Sequence, residues 1–161
     1  MINPQARKYT LISLEGTPMV LKRMLHGIAA ESSFWDFKGD PERFTAREVL
    51  AHLADWDAIF LERLTRTVTM DNPVLQGLDE GKIALERSYG SQNARDNILR
   101  LQSTRTKLLA YIHSIKSEDW EKLGNHSEIG PITFDSQVVL MLAHDGYHAR
   151  QLAEYLEKYE S

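Results

Sequence analysis

Apolar residues recur at three- and four-residue steps along most of this chain. Glycine and proline fall mainly between the runs so marked, with Gly27 and Gly146 as exceptions inside them. That period is helical, and the expected fold class is all-α. Residues 4–15 read as an initial helical segment, with Asn3 as N-cap and Pro4 at the first position, where no N–H partner is needed. Gly16 is expected to interrupt it. Thr17-Pro18 then repeats the start signal ahead of Leu21, Met24, Leu25, Ile28 and Ala29, the buried face of a first bundle helix. Thr45-Ala46-Arg47-Glu48 is a capping box, in which Thr45 and Glu48 satisfy each other's exposed backbone N–H groups. The second helix that follows carries Val49, Leu50, Leu53, Trp56, Phe60 and Leu64, and frays near 67–69, where β-branched residues accumulate. Residues 91–116 give a third helix with Ile98, Leu101, Leu108, Leu109, Ile112 and Ile115 toward the core, and a fourth runs from about Phe134 to Lys158.

The connection from Met70 to Gly90 is longer than the roughly 2–8 residues usual between antiparallel neighbours in a bundle. It is long enough to span a helix, so it predicts a four-helix bundle with a long crossover between the second and third helices, which then run parallel. Ser117–Thr133 is a second long loop, with turn formers at Gly124, Asn125 and Gly130-Pro131. A chain of 161 residues fits one domain, so residues 1–161 are read as a single bundle.

Composition narrows the chemistry. Lys and Arg number 19 against 23 Asp and Glu, a net charge of -4, and no basic block is present to neutralise phosphates, so nucleic acid is a poor partner. The longest apolar run, Val138–Ala143, is six residues, against the roughly 20 of a membrane span. The N-terminus has no apolar signal core, and the expectation is a cytoplasmic protein with no membrane partner. Cysteine is absent, which excludes disulfides, zinc ribbons, iron–sulfur clusters and a thiol nucleophile of the chain's own. Any metal must be held by nitrogen and oxygen.

Six histidines remain: His26, His52, His113, His126, His144 and His148. His144 and His148 are four apart on the last helix, so their rings share one face. His52, one helical turn after Glu48 and one before Trp56, faces inward or nearly so on the second helix. Three imidazoles from two facing helices make a site suited to zinc, nickel or iron, with positions left for water or substrate. A dinuclear carboxylate centre is disfavoured, because Glu-x-x-His occurs nowhere. The alternative is three core histidines satisfied by carbonyls, carboxylates or water. That arrangement would leave clustered ring nitrogens unpaired, at roughly 1–3 kcal/mol each, unless a cation or waters filled the centre.

FTAREVLAHLADWD around His52, DWEKLGNHSEIGPIT, and HDGYHARQL with its paired histidines together resemble the DinB-like, or DinB/YfiT, superfamily of small bacterial four-helix bundles. Phe44 stands where the family often has Trp, and the likeness covers most of the chain. The resemblance implies one divalent metal, variously zinc, nickel, iron or manganese, on His52, His144 and His148. It also implies a small-molecule substrate, with relatives resembling metal-dependent hydrolases or transferases and isomerases that use low-molecular-weight thiols, and it is compatible with a homodimer.

The remaining candidates carry plainer expectations. Asp55 and Asp57 read as a solvated face, with orienting a ligand imidazole or acting as a base as the functional alternative. Asp145 points about 100° away from His144 around the helix and is a poor ligand. Trp56 reads as core, while Tyr147 is a candidate for a pocket mouth. Arg150 and Gln151 read as surface residues with a carboxylate clamp as the alternative, and His126 as a surface histidine or a loop hydrogen-bonding group.

Overall fold

The computed structural model describes residues 2–160. In chain order the elements are α1 (Pro4–Met24), a 3-10 turn (Ser33–Asp36), α2 (Ala46–Thr69), β1 (Val74–Leu75), α3 (Glu80–Glu86) and a turn at Tyr89–Ser91. There follow α4 (Ala94–Ser114), a turn at Ser117–Glu121, β2 (Leu123–His126), β3 (Gly130–Thr133) and α5 (Phe134–Glu160). Two of the three start signals behave as expected. Asn3 accepts from the Gln5 N–H, and Thr45 and Glu48 close the capping box at 3.3 and 2.8 Å. Gly16 does not interrupt the first helix: α1 runs through both Gly16 and Pro18. Thr17, expected as a cap, instead turns its hydroxyl back to the Ser13 carbonyl at 3.2 Å. The helix also stops at Met24, short of Ala29, although Leu25 is still buried.

Four long helices form the bundle. Helix α2 packs against α4 and α5, and α1 closes the other side against the same two. Along α2 and α4 the paired positions climb together, Asp55 meeting Arg100 and Asp57 meeting Arg105, so these helices are parallel as the long crossover requires. Along α2 and α5 the order reverses, with Thr67 against Gln137, His52 against His144 and the Phe44 carbonyl against Tyr155. The core divides into two large clusters and a small third one of Ala51, Ala84 and Tyr89, which seats the crossover on α2. One large cluster centres on Leu50, Leu53, Leu101 and Leu152 with Phe34 and Trp35 plugged in from the turn after α1; the other centres on Phe60, Leu64, Leu108 and Phe134. Each such side chain contributes roughly 1.5–3 kcal/mol by leaving water.

Within the crossover lie β1 and the two-turn helix α3, where the apolar pattern predicts only connection. The expected loop at 117–133 is likewise a turn followed by the hairpin of β2 and β3, and β1 pairs parallel to β2 to make a three-stranded sheet. Leu75 seats over Gly124 so closely that a Cβ there would lie 2.7 Å from its Cδ1. Glycine at 124 is therefore a condition of this contact. The sheet ties the crossover to the connection leading into α5.

Candidate metal centre

His52 comes from the middle of α2 and His144 and His148 from successive turns of α5, and the antiparallel packing of those helices turns all three rings inward. Their centroids stand 4.6–4.9 Å apart. The Nε2 atoms of His52 and His144 lie 2.9 Å from each other, and one nitrogen from each of the three rings falls within a 4.8 Å span. Two nitrogens bound to one ion at about 2.0–2.1 Å stand about 2.9–3.4 Å apart, so the pair has the separation a shared cation needs. The donor set is all imidazole, which fits zinc, nickel or iron.

Each ring is fixed by different means. His52 is fully buried, its Nδ1 has no hydrogen-bond partner, and it is held by tilted ring contacts with Trp56 at 4.2 Å and Phe44 at 5.2 Å. His148 is held by a chain of hydrogen bonds whose direction follows from donor and acceptor chemistry. The Phe44 carbonyl can only accept, so the Tyr155 hydroxyl donates to it at 2.9 Å. The Gln151 amide nitrogen then donates to the Tyr155 oxygen at 2.7 Å, which leaves the Gln151 carbonyl oxygen facing His148 Nδ1 at 2.9 Å. Nδ1 therefore carries the proton, and the Nε2 lone pair is the one presented to the other rings.

Burial disfavours charge on all three. It pushes His52, with help from His148 and His144, down to about 2, and His144, with help from His148 and Arg105, down to about 3. His148 is lowered by burial, against the Gln151 hydrogen bond and Asp145, and the Arg43 charge adds to the lowering. The rings are neutral at pH 7, the protonation state a metal ligand requires.

The model of the DinB superfamily matches residues 13–152 of this sequence. The chain belongs to the DinB superfamily. A solved structure of YfiT from Bacillus subtilis superposes with a TM-score of 0.91, covering 99% of this chain and 91% of that one at 19% identity. That protein is described as a probable metal-dependent hydrolase with an unusual four-helix bundle topology. At this identity the likeness is one of fold. No curated protein matches the chain.

Around this DinB centre the other candidates part company. Asp55 and Asp57 are buried, contrary to a solvated face. Asp55 takes Arg87, Arg100 and the Tyr89 hydroxyl, and Asp57 takes Arg105. Asp145 is buried on the far side of Arg105, paired at 2.6 Å, and is no part of the histidine cluster. Gln151 turns inward to His148, a role the sequence pattern does not show, although its i,i+3 spacing from His148 is the signal that permits it. Trp56 is core and also packs against His52, and its ring lies stacked on that of His144. Tyr147 is half-exposed and stands edge-on to His148 at 4.9 Å. Arg150 makes a surface ion pair with Glu154 at 3.0 Å. His126 lies in β2, where its Nδ1 accepts from the Glu128 N–H at 3.3 Å, away from the triad. Among the described residues, no helix is long and apolar enough to cross a membrane.

Proposed function

We propose that this chain binds one divalent metal, zinc, nickel, iron or manganese, through His52, His144 and His148. In this reading it is an enzyme that activates water or a low-molecular-weight thiol for hydrolysis or group transfer on a small molecule. The observation that carries this reading is the 2.9 Å approach of the His52 and His144 Nε2 atoms beside His148, in a buried cluster with no carboxylate among its donors. A cation there lowers the pKa of a ligated water or thiol toward neutrality, which supplies a nucleophile at pH 7. A thiolate would arrive as a separate molecule, since the chain has no cysteine.

The protein's own residues prepare the site. Trp56 and Phe44 pack against the His52 ring, whose Nδ1 has no hydrogen-bond partner, and shield it from water. The Phe44–Tyr155–Gln151 chain keeps the His148 proton on Nδ1. Three histidine ligands would leave a bound cation with open positions for water or substrate, as in catalytic rather than structural sites.

Elemental analysis of protein purified without a nickel column tests the first half: one equivalent of metal is expected in the wild type and none in His52→Ala. Full occupancy in the triple alanine variant of the three histidines refutes the ligand set. A screen of esters and electrophiles, with and without several cellular thiols, tests the second half. Chelation that lowers the melting temperature while no substrate turns over reduces the metal to a structural role.

A further inference from the structure

The charges at the edge of the histidine cluster do not balance. The cluster has no carboxylate among its members. The buried acids on the same helices are already committed, Asp57 and Asp145 to Arg105, Asp55 to Arg87 and Arg100, and Asp135 to Arg7. At the rim, Arg43 and Arg150 share one carboxylate, Glu154. Arg150 approaches it to 3.0 Å, whereas Arg43 stands at 3.5 Å and keeps most of its donors free.

Arg43 is also the better placed of the two. The next residue, Phe44, is pinned to the site twice, by its ring against His52 and by its carbonyl under the Tyr155 hydroxyl. The guanidinium carbon lies 5.7 Å from the centroid of the Tyr147 ring, within cation–π range. Tyr147 in turn stands edge-on to His148 and is half-exposed. A planar, fixed-charge fork thus sits one aromatic ring away from the imidazoles, beside solvent.

We propose that the substrate of this site is a small organic carboxylate, its acid group gripped by the Arg43 fork and its apolar body laid along Tyr147. The proposal rests on the metal reading above and adds the substrate class. A guanidinium offers two parallel N–H donors that match a carboxylate, and Glu154 is the internal competitor that the ligand displaces.

The test uses zinc-loaded protein and two probes of the same shape, phenylacetate and the neutral phenylacetamide, with dissociation constants from NMR titration and zinc affinity measured separately by chelator competition. The expected result is that phenylacetate binds more tightly than phenylacetamide. Arg43→Met weakens phenylacetate about 10-fold or more while leaving phenylacetamide unchanged and zinc bound at least as tightly. Arg43→Lys restores part of the loss, and Glu154→Gln tightens phenylacetate, a gain that a merely structural Arg43 would not produce. Equal binding of the two probes, or phenylacetate binding unaffected by Arg43→Met on a zinc-loaded protein, overturns the substrate class and leaves the metal reading intact. A wild type that takes up no zinc or other divalent ion overturns both.

Discussion

The guanidinium of Arg105 donates at 2.6 Å to the carbonyl oxygen of Leu14. That oxygen is the one Pro18, lacking an N–H, leaves without its helical partner. The same guanidinium pairs with both Asp57 and Asp145, and all three side chains are buried. One side chain of α4 therefore makes a proline tolerable in the middle of α1 while bridging α2 to α5. Arg105→Met should cost about 3–5 kcal/mol in urea unfolding, since it strands two buried carboxylates. Pro18→Ala should then recover about 1–3 kcal/mol in that background, by giving Leu14 a backbone donor, and less in the wild type. Strict additivity of the two substitutions would separate Pro18 from Arg105.

Acid should unfold the metal-free protein early. His52, His144 and His148 have native pKa values below the ordinary 6.5, chiefly because they are buried, so the unfolded chain binds more protons once the pH falls below about 6.5. The stability these rings supply is fully present above that pH and is lost on acidification, by at most about 1.4 kcal/mol per pH unit for each ring. Asp57 acts in the opposite sense. Burial raises it from 3.8 to about 6 against the pull of Arg105, so between those values its protonation favours the native state. Urea midpoints measured from pH 5 to 8 should rise with pH more steeply than one proton allows, and a flat profile would show that the rings titrate normally in the fold.

The hydrogen-bond chain behind His148 gives a prediction on metal affinity. Tyr155→Phe frees the Gln151 amide to turn over and offer its N–H₂ to Nδ1, which moves the imidazole proton to Nε2. Affinity for the metal should fall roughly 10- to 100-fold by chelator competition. Gln151→Glu, which keeps an acceptor against Nδ1, should retain most of it, and ¹⁵N shifts of the imidazole in the metal-free protein report the tautomer directly.

Asp55 fastens the crossover to the bundle. Its carboxylate takes Arg87 at 2.8 Å and the Tyr89 hydroxyl at 2.7 Å, both just beyond α3, as well as Arg100 of α4. Asp55→Asn should cost about 1.5–3 kcal/mol and, more tellingly, raise amide hydrogen exchange across residues 80–91 ahead of the rest of the chain. Exchange that rises uniformly would show that the crossover is held by packing alone.

The features legible in the sequence are those set by neighbours along the chain. The Thr45–Glu48 capping box, the Asn3 cap and the long amphipathic runs all depend on residues within a few positions, and the i,i+4 pair His144–His148 is of the same kind. The crossover follows from loop length, and the one-turn steps from Glu48 through His52 to Trp56 point His52 inward, with the family resemblance then joining it to the pair. What escapes is decided from afar. Gly16 and Pro18 look like a break because the donor that rescues the Leu14 carbonyl lies on another helix. Asp55 and Asp57 look solvated because their counter-charges, Arg100 and Arg105, come from α4. The strands escape because two to four residues are too few to show an alternating period, and Pro131, a turn signal by itself, sits in the edge strand β3 opposite Asn125.

His52 and His144 are 92 positions apart in the chain. During synthesis, a nascent polypeptide that has emerged only as far as α4 holds one imidazole of the three and no chelate. On the proposed metal reading, ion capture would fall among the last events in the making of this protein, too late to template the early collapse of the bundle, and truncated products that lack α5 would hold no chelate with which to compete for scarce metal.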